Sequence, residues 1–461
     1  AYEFHERLVG SEMCIRDSHY SCIGATGYVC GEVLRMMVNH HEGELVNVLD
    51  TYGVGDAIST HHPALRGFYD QVIMDLTEEN VRETAKKSDV IMIQVPSGDV
   101  AKWAEIVLAE DCAIIDIGAD IRFRDVDVWE KWYGQKHPDA KMTHDAVYCI
   151  PEVMRDLAKG KKLIANPGCY PTASTLGLQP MLKTGHIVEN TIVIDAKSGY
   201  TGAGRRPALN KLLTEAENNF CAYALGGGHR HTPEIEQNIA YITGKDLMKP
   251  ETWQYINFQP HLLPQVRGIE VTIYATCDKD FTNEEVYELY KDFYKDEPFV
   301  KVFPASLPVQ TKWVYGTNFC EMTPTFDART HRLIVSSVID NIGKGAAGQA
   351  IQNMNLTNTY LGLVFPSLIS GTAIFLMRQY FMTLPKDYRE AATLDGCSDM
   401  GFLFHIAVPL SIPTISSLAV YLFVQIYNQY FWPMLVTNED SMRTIQLGIS
   451  YLVDADVVNY G

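Results

Sequence analysis

The chain is short of cysteine, of basic charge and of long apolar runs. Its 461 residues include ten cysteines, and no two stand in a C-x-x-C pair. This excludes a disulfide-built scaffold and the usual zinc and thioredoxin-like spacings. The cysteines read as reduced cytosolic thiols. Lys and Arg number 38 against 56 Asp and Glu, a formal net charge of −18. A general nucleic-acid binder needs a basic face to displace counterions, so that class is excluded, although a local basic pocket is not. Residues 1–18 are charged throughout and lack an apolar core, so they do not read as a secretory signal. The tract LVGSEMCIRDS resembles translated adapter sequence and is set aside from fold reasoning. The chain carries no internal repeat and no low-complexity tract.

Against these absences stand a hydrophobic content of 47% and enough length for about three domains. Disorder is therefore not expected. Charge is unevenly spread. Residues 357–461 hold only four basic and eight acidic side chains, and 345–377 and 406–437 hold none. Both uncharged stretches contain Pro, Ser and Gln, so neither is a clean run of ~20 apolar residues.

Near the start, His19–Ile23 reads as a strand, 24–31 as a Gly-rich turn and 32–38 as a helix. Strand, glycine turn and helix in this order suit a dinucleotide pyrophosphate at the helix N-terminus. Gly24 permits the tight turn, and Gly27 lets the backbone approach the phosphates. Thr26, Tyr28 and Val29 complete the candidate cradle. Cys30 occupies the third small position, which weakens the motif. The segments 45–49, 90–95 and 113–117 read as buried parallel strands ending in turn residues, among them Ser97 and Gly98. Asp50, after the second strand, could accept from an unphosphorylated ribose. No Arg stands beside it, so the residues leave NAD and NADP open.

In Asn166-Pro-Gly-Cys169, a cysteine opens a helical pattern. A thiol there feels the positive end of the helix dipole, which is expected to lower its pKa and favour attack on an acyl group. The acid/base candidates come from Gly226-Gly-Gly-His229-Arg-His231, and the residues do not choose between His229 and His231. An H-x-H pair can also hold metal, but a third ligand at suitable spacing is lacking, so no metal is expected. His61 and His62 read as solvated. Anion sites are expected in Ser198-Gly199…Arg205-Arg206 and at Arg267. Asn341, before a small-residue helix, could return to the cofactor.

These segments together resemble N-acetyl-gamma-glutamyl-phosphate reductase, of the semialdehyde dehydrogenase group. The resemblance rests on GATGYV at 24–29, GADIR at 118–122, YCIPE at 148–152, PGCYPTA at 167–173, SGYTGAGR at 198–205, HRHTPEI at 229–235, PQVRGI at 264–269 and DNIGKGAAGQA at 340–350. It covers about 19–356. Cys30 and Cys149 stand where the family has Gly, and Ser97 where it has His. The resemblance implies an α/β fold: a Rossmann-type cofactor domain over 19–166, completed by 335–356, and an α+β catalytic domain over 167–334. It implies a cytoplasmic, homo-oligomeric enzyme using NADP. Cys169 would attack the γ-acyl phosphate, hydride would reduce the thioester, and His229 or His231 would move protons. Arg205 and Arg267 would bind phosphate and the substrate carboxylate, with Arg122, Ser198 and Gly199 lining the substrate site and Asn341 near the nicotinamide. Aspartate-semialdehyde dehydrogenase shares the chemistry, but HRHTPEI and PGCYPT argue against it.

Residues 359–461 resemble instead an α-helical, inner-membrane permease subunit of a carbohydrate-type ABC transporter. Glu390, Ala391 and Gly396 fit the loop by which such subunits dock on their ATPase subunit. Only the later part of a permease is matched, so a chimeric gene model joined near 356–359 is expected.

Overall fold

Seven short segments between residues 18 and 165 lie side by side in a computed structural model of the chain, which describes residues 18–38, 43–158, 161–354 and 408–411. They are β1 (Ser18–Ile23), β2 (Gly43–Asp50), β3 (Ile73–Asp75), β4 (Val90–Ile93), β5 (Ala113–Asp116), β6 (Val147–Tyr148) and β7 (Leu163–Ala165). Their order is β3-β2-β1-β4-β5-β7-β6, and every pairing is parallel. β4 and β5 are buried along their whole length, as continuous apolar strands covered on both faces must be. The helices α1 (Tyr28–Met37), α2 (Glu78–Ala85) and α3 (Val100–Ala109) supply crossovers. Strand order reverses at β1, between β2 and β4, and the crevice beyond those carboxyl ends is where a ligand sits on such a sheet.

The second sheet is mixed. It comprises β8 (Val193–Ser198), β9 (Cys221–Ala222), β10 (Asn257–Leu262), β11 (Ile269–Thr276), β12 (Val300–Val302), β13 (Cys320–Asp327) and β14 (Arg332–Ile339), ordered β12-β13-β14-β11-β8-β10-β9. β8 and β11 alternate buried and half-exposed residues, so one face is covered. The cover is α4 (Cys169–Thr184), buried from Tyr170 to Leu182. A Cβ on Gly177 would lie 2.6 Å from Ile273 Cδ1, so the helix can approach β11 only without a side chain there. Pro180 has no N–H to give the carbonyl of Leu176. The Tyr294 hydroxyl donates to that carbonyl instead, at 2.6 Å, and Tyr290 donates to Gly177 O at 2.8 Å. The buried backbone is thus satisfied from the side. A second buried helix, α5 (Thr232–Ile242), packs on α4.

β14 finishes the second sheet, so the return to the first begins after Ile339 and not at the expected 335. It runs through a π-helical turn, Gly343–Ala347, into α6 (Gly348–Asn353), which packs on α1. The chain divides into two units, Ala1–Thr357 and Asn358–Gly461. Of the second, only a short turn around Val408–Leu410 is described. Glu390, Ala391 and Gly396 lie outside the described residues, as does the adapter-like tract up to Asp17, its last residue, Ser18, opening β1. Among the described residues, no helix is long and apolar enough to cross a membrane.

Candidate active site

The glycine turn leaves β1 with Gly24 at φ +91°, and a Cβ there would sit 2.1 Å from Gln94 O at the end of β4. Only glycine closes the crevice this tightly. Around the turn the carbonyls are capped. Gly27 N–H donates to Gly24 O, His62 Nε2 bonds Ala25 O at 2.8 Å, and Arg205 donates to Thr26 O at 2.8 Å. The first N–H groups of α1, from Tyr28 and Val29, have no partner one turn back and are left for an anion. Ser97 and Gly98 lie in the turn after β4. Gly98 takes φ +100°, and its N–H donates to Asp120 at 2.8 Å. Cys30 is buried against Cys22, its thiol pushed well up by the hydrogen bond to the Cys22 thiol and by burial. Cys30 is thus packed into the core beside the turn.

Asp50 is engaged with the protein itself. One oxygen accepts from Thr26 N–H and Oγ1, both at 2.8 Å, and the other from the N–H groups of Thr51 and Tyr52. It braces the turn and is not free for a ribose hydroxyl. His62 corrects another expectation. A Cβ on Gly31 would lie 2.3 Å from its ring, so the imidazole packs on α1 and is not solvated.

Cys169 is the first residue of α4, and three segments converge on it. Gly168 N–H donates to Glu234 Oε1 at 2.8 Å. Glu234 is fully buried and also accepts from Tyr148 Oη at 2.9 Å and Arg122 at 3.1 Å. A Cβ on Gly168 would lie 2.5 Å from His231 Nε2 and 3.0 Å from the Arg122 guanidinium. From the other side, a Cβ on Gly345, in the π-helical turn, would lie 2.7 Å from Cys169 Cβ. The residue before the nucleophile candidate is thus against an imidazole, and the candidate's own Cβ is against a bare stretch of backbone.

The two histidines meet at 4.8 Å between ring centroids. His231 N–H donates to His229 Nδ1 at 3.0 Å, which puts the His229 proton on Nε2. Burial, then Arg230, brings His229 down to about 4. Burial, followed by His229, Arg122 and Arg230, holds His231 well below its usual value. Both are neutral near pH 7. The Cys169 thiol departs from expectation: burial pushes it up to about 11. The helix N-terminus and Arg122 pull it down, and Glu234 adds to the rise. Desolvation outweighs the helix dipole, whose effect is small by comparison.

The expected anion residues separate. Ser198, buried at the end of β8, donates to Gly199 O at 3.0 Å. Asn341 accepts from Gly268 N–H at 2.8 Å and donates to Thr201 Oγ1 at 3.0 Å, joining the loops after β8 and before β11. Arg267 is tied up with two carboxylates of the protein. It is 10% exposed and pairs with Glu32 of α1 at 2.6 Å and Asp340 at 2.8 Å, which leaves no free edge for a carboxylate. Arg205 lies on the glycine turn, where it donates to Thr26 O and His61 O. Arg122 is 6% exposed and held by Glu234 and Ile117 O, with its Nε buried and free of protein partners. Glu234 and Gly345 were missed as site residues, although both lie in motifs singled out. Among the described residues, no His, Cys, Asp or Glu cluster is placed to hold a metal ion.

Family models agree with the two sheets. One for the NAD binding domain of semialdehyde dehydrogenase matches residues 21–161, and one for the semialdehyde dehydrogenase dimerisation domain matches 169–341. A third, for the inner membrane component of binding-protein-dependent transport systems, matches 324–457. Its first residues fall in β13 and β14, which pair within the second sheet. The chain is 43% identical over 349 residues to N-acetyl-gamma-glutamyl-phosphate reductase of Desulforudis audaxviator, covering 75% of this chain and 98% of that one. It is 41% identical to the reductase of that name from Moorella thermoacetica, over 72% of this chain and 93% of the relative. Among solved structures, aspartate semialdehyde dehydrogenase II of Vibrio cholerae complexed with ASA superposes with a TM-score of 0.55 at 16% identity, over 74% of this chain and 98% of that one. The Candida albicans aspartate semialdehyde dehydrogenase with NADP gives 0.53 at 14%, over the same shares. At such identities the structures share the fold alone.

Proposed function

The chain belongs to the semialdehyde dehydrogenase family, and on that premise we propose that residues 19–356 reduce N-acetyl-gamma-glutamyl phosphate to N-acetylglutamate semialdehyde at Cys169, with NADPH as donor, in arginine biosynthesis. The observation that carries the reading is Cys169 at a helix start, with the His231 ring against the preceding residue and Gly345 against its own Cβ. The glycine turn fits a dinucleotide: a Cβ on Gly24 would fill the crevice, and the turn's carbonyls are capped while the first N–H groups of α1 are left for phosphate. Gly24, Thr26, Gly27, Tyr28, Val29, Ser97 and Gly98 would hold it, and bound NADPH supplies the hydride.

In this reading the resting site holds a neutral thiol and neutral imidazoles. His231 takes the Cys169 proton as sulfur attacks the γ-carbonyl carbon, and the resulting charges stabilise each other. The carbon–sulfur bond forms, the bond to the phosphate oxygen breaks, and inorganic phosphate leaves a thioester on Cys169. Hydride addition turns the thioester into a thiohemiacetal with an anionic oxygen, which can collapse without a further base, and the departed phosphate takes its proton from water. The imidazole proton returns to the departing sulfur as the aldehyde is released. Arg122 beside Gly168 opposes negative charge at the carbonyl oxygen. Ser198, Gly199 and Asn341 shape the substrate side. Arg267 serves as a tie between the sheets.

The test runs the reaction backwards on the full chain, following NADPH absorbance from N-acetylglutamate semialdehyde, phosphate and NADP. Wild type should turn over and Cys169→Ala should not. Full activity in the variant, or turnover of aspartate semialdehyde alone, would sink the reading. The dimerisation-domain match supports a homo-oligomer, and a soluble acyl phosphate and cofactor suit the cytoplasm. For 359–461 the reading is a permease-like piece, of the kind that pairs with an ABC ATPase, joined to an unrelated enzyme. Amplification across codons 350–365 from source DNA should then fail, and an unbroken product would contradict the join.

A further inference from the structure

The proposed cofactor carries a phosphate on its adenosine ribose, and the first domain does not supply an evident cation for it. On open sheets of this kind the ribose lies at the end of β2, where a carboxylate accepts from a free hydroxyl or a nearby Arg meets a 2′-phosphate. Here Asp50 ends β2, and both its oxygens are occupied by four donors of the turn and of the residues after it. The following segment, 51–65, contains no Lys or Arg at all. The first basic residue after Asp50 is Arg66, beyond the turn Pro63–Leu65, so the residues directly after β2 offer a dianionic phosphate no cation.

The missing cation arrives from the other sheet. Arg205 lies beyond β8, after Gly204, whose φ of +76° turns the chain. Its guanidinium donates to Thr26 O at 2.8 Å in the glycine turn and to His61 O at 3.0 Å in the segment after β2. Its Cζ stands 5.8 Å from the centroid of the exposed Tyr28 ring. Two carbonyls thus fix the plane of the fork between the glycine turn and the segment after β2. A guanidinium has five N–H donors, so the fork keeps donors for a ligand. His61 is itself paired with Asp56 at 2.9 Å and is not the cation.

We propose that Arg205, supplied by the catalytic half, recognises the 2′-phosphate of NADP and is the residue that selects it over NAD. The assignment rests on the cofactor reading above. It gives Arg205 a part distinct from substrate binding. It also makes occupancy of the cofactor turn a contact between the two sheets.

The test is binding, without turnover. Intrinsic fluorescence of the full chain is titrated with NADP, NAD, 2′,5′-ADP and 5′-ADP, for wild type, Arg205→Gln, Arg205→Lys and, as a charge control, the exposed Arg329→Gln. Loss of charge-assisted hydrogen bonds should weaken NADP and 2′,5′-ADP by on the order of ten- to a hundredfold in Arg205→Gln, with NAD and 5′-ADP changed by less than about threefold. Arg205→Lys should fall between, because a point charge lacks the fork, and Arg329→Gln should match wild type. Equal losses for all four ligands in folded Arg205→Gln would place the guanidinium on the pyrophosphate and overturn the assignment, as would no loss. Should the Gln variant misfold by circular dichroism, Arg205→Lys decides by the same ratio. A wild type that binds NAD as tightly as NADP would overturn the cofactor reading itself, and the inference with it.

Discussion

Replacing Arg267 by Met separates a structural tie from a substrate contact. Arg267 meets Glu32, 5% exposed, and Asp340, fully buried. Removing one member of a buried charge pair costs about 3–5 kcal/mol, because the partner charge stays behind. Both partners here keep other donors. Glu32 retains Arg35 at 2.7 Å, and Asp340 retains the N–H groups of Gly316, Ile342 and Gly343. The low end, about 3 kcal/mol, is therefore expected. For a unit of this size, with an unfolding entropy of about 0.7 kcal/mol/K, that is a Tm lower by roughly 4 °C. The pH dependence has a definite sign. Burial opposes ionisation of Glu32, but Arg35 and Arg267 win and hold its pKa below the usual value. Its stabilising contribution is complete above the ordinary carboxylate range and is lost as pH falls through the lowered value. The variant should lose that margin, so its acid unfolding begins at higher pH. The assays are calorimetry from pH 3 to 7 and the KM of the reverse reaction. Unchanged Tm together with a large rise in substrate KM would refute the tie and restore Arg267 to the substrate.

Two further outcomes follow from the nucleophile's surroundings. Gly345→Ala places a methyl group 2.7 Å from Cys169 Cβ, so sulfur must shift; kcat should fall on the order of a hundredfold while circular dichroism is retained, and an unchanged kcat would contradict the packing. Alkylation of Cys169 by iodoacetamide, taken as wild type minus Cys169→Ala, should keep rising with pH from 7 to 10, because burial pushes the thiol up to about 11. A plateau below pH 7 would mean a preformed thiolate and would contradict the buried neutral pair.

The legible parts of this chain were those whose cause is local. β4 and β5 read as continuous apolar runs because both faces of a parallel strand are covered. Gly24 read as a tight turn because the steric demand sits on one residue. Cys169 and the two histidines were singled out by the segments that carry them, and the fold brings those segments together. What stayed hidden was decided by distant partners. Asp50 offers a carboxylate in the right place, yet Thr26 and the next two residues take its oxygens. Arg205 and Arg267 both looked like anion binders, since a guanidinium in sequence carries no sign of who meets it. One reaches the glycine turn and the other a buried acid pair. The Cys169 thiol was expected low because the helix dipole is visible in sequence and desolvation is not.

The account stands or falls on a covalent acyl group at one sulfur. Full-length protein mixed with N-acetyl-gamma-glutamyl phosphate, without NADPH, should release one equivalent of phosphate per chain. Mass spectrometry of the digest should then find an N-acetylglutamyl thioester on the peptide holding Cys169, and none in Cys169→Ala. Phosphate release without that adduct, or an adduct on another residue, would contradict it.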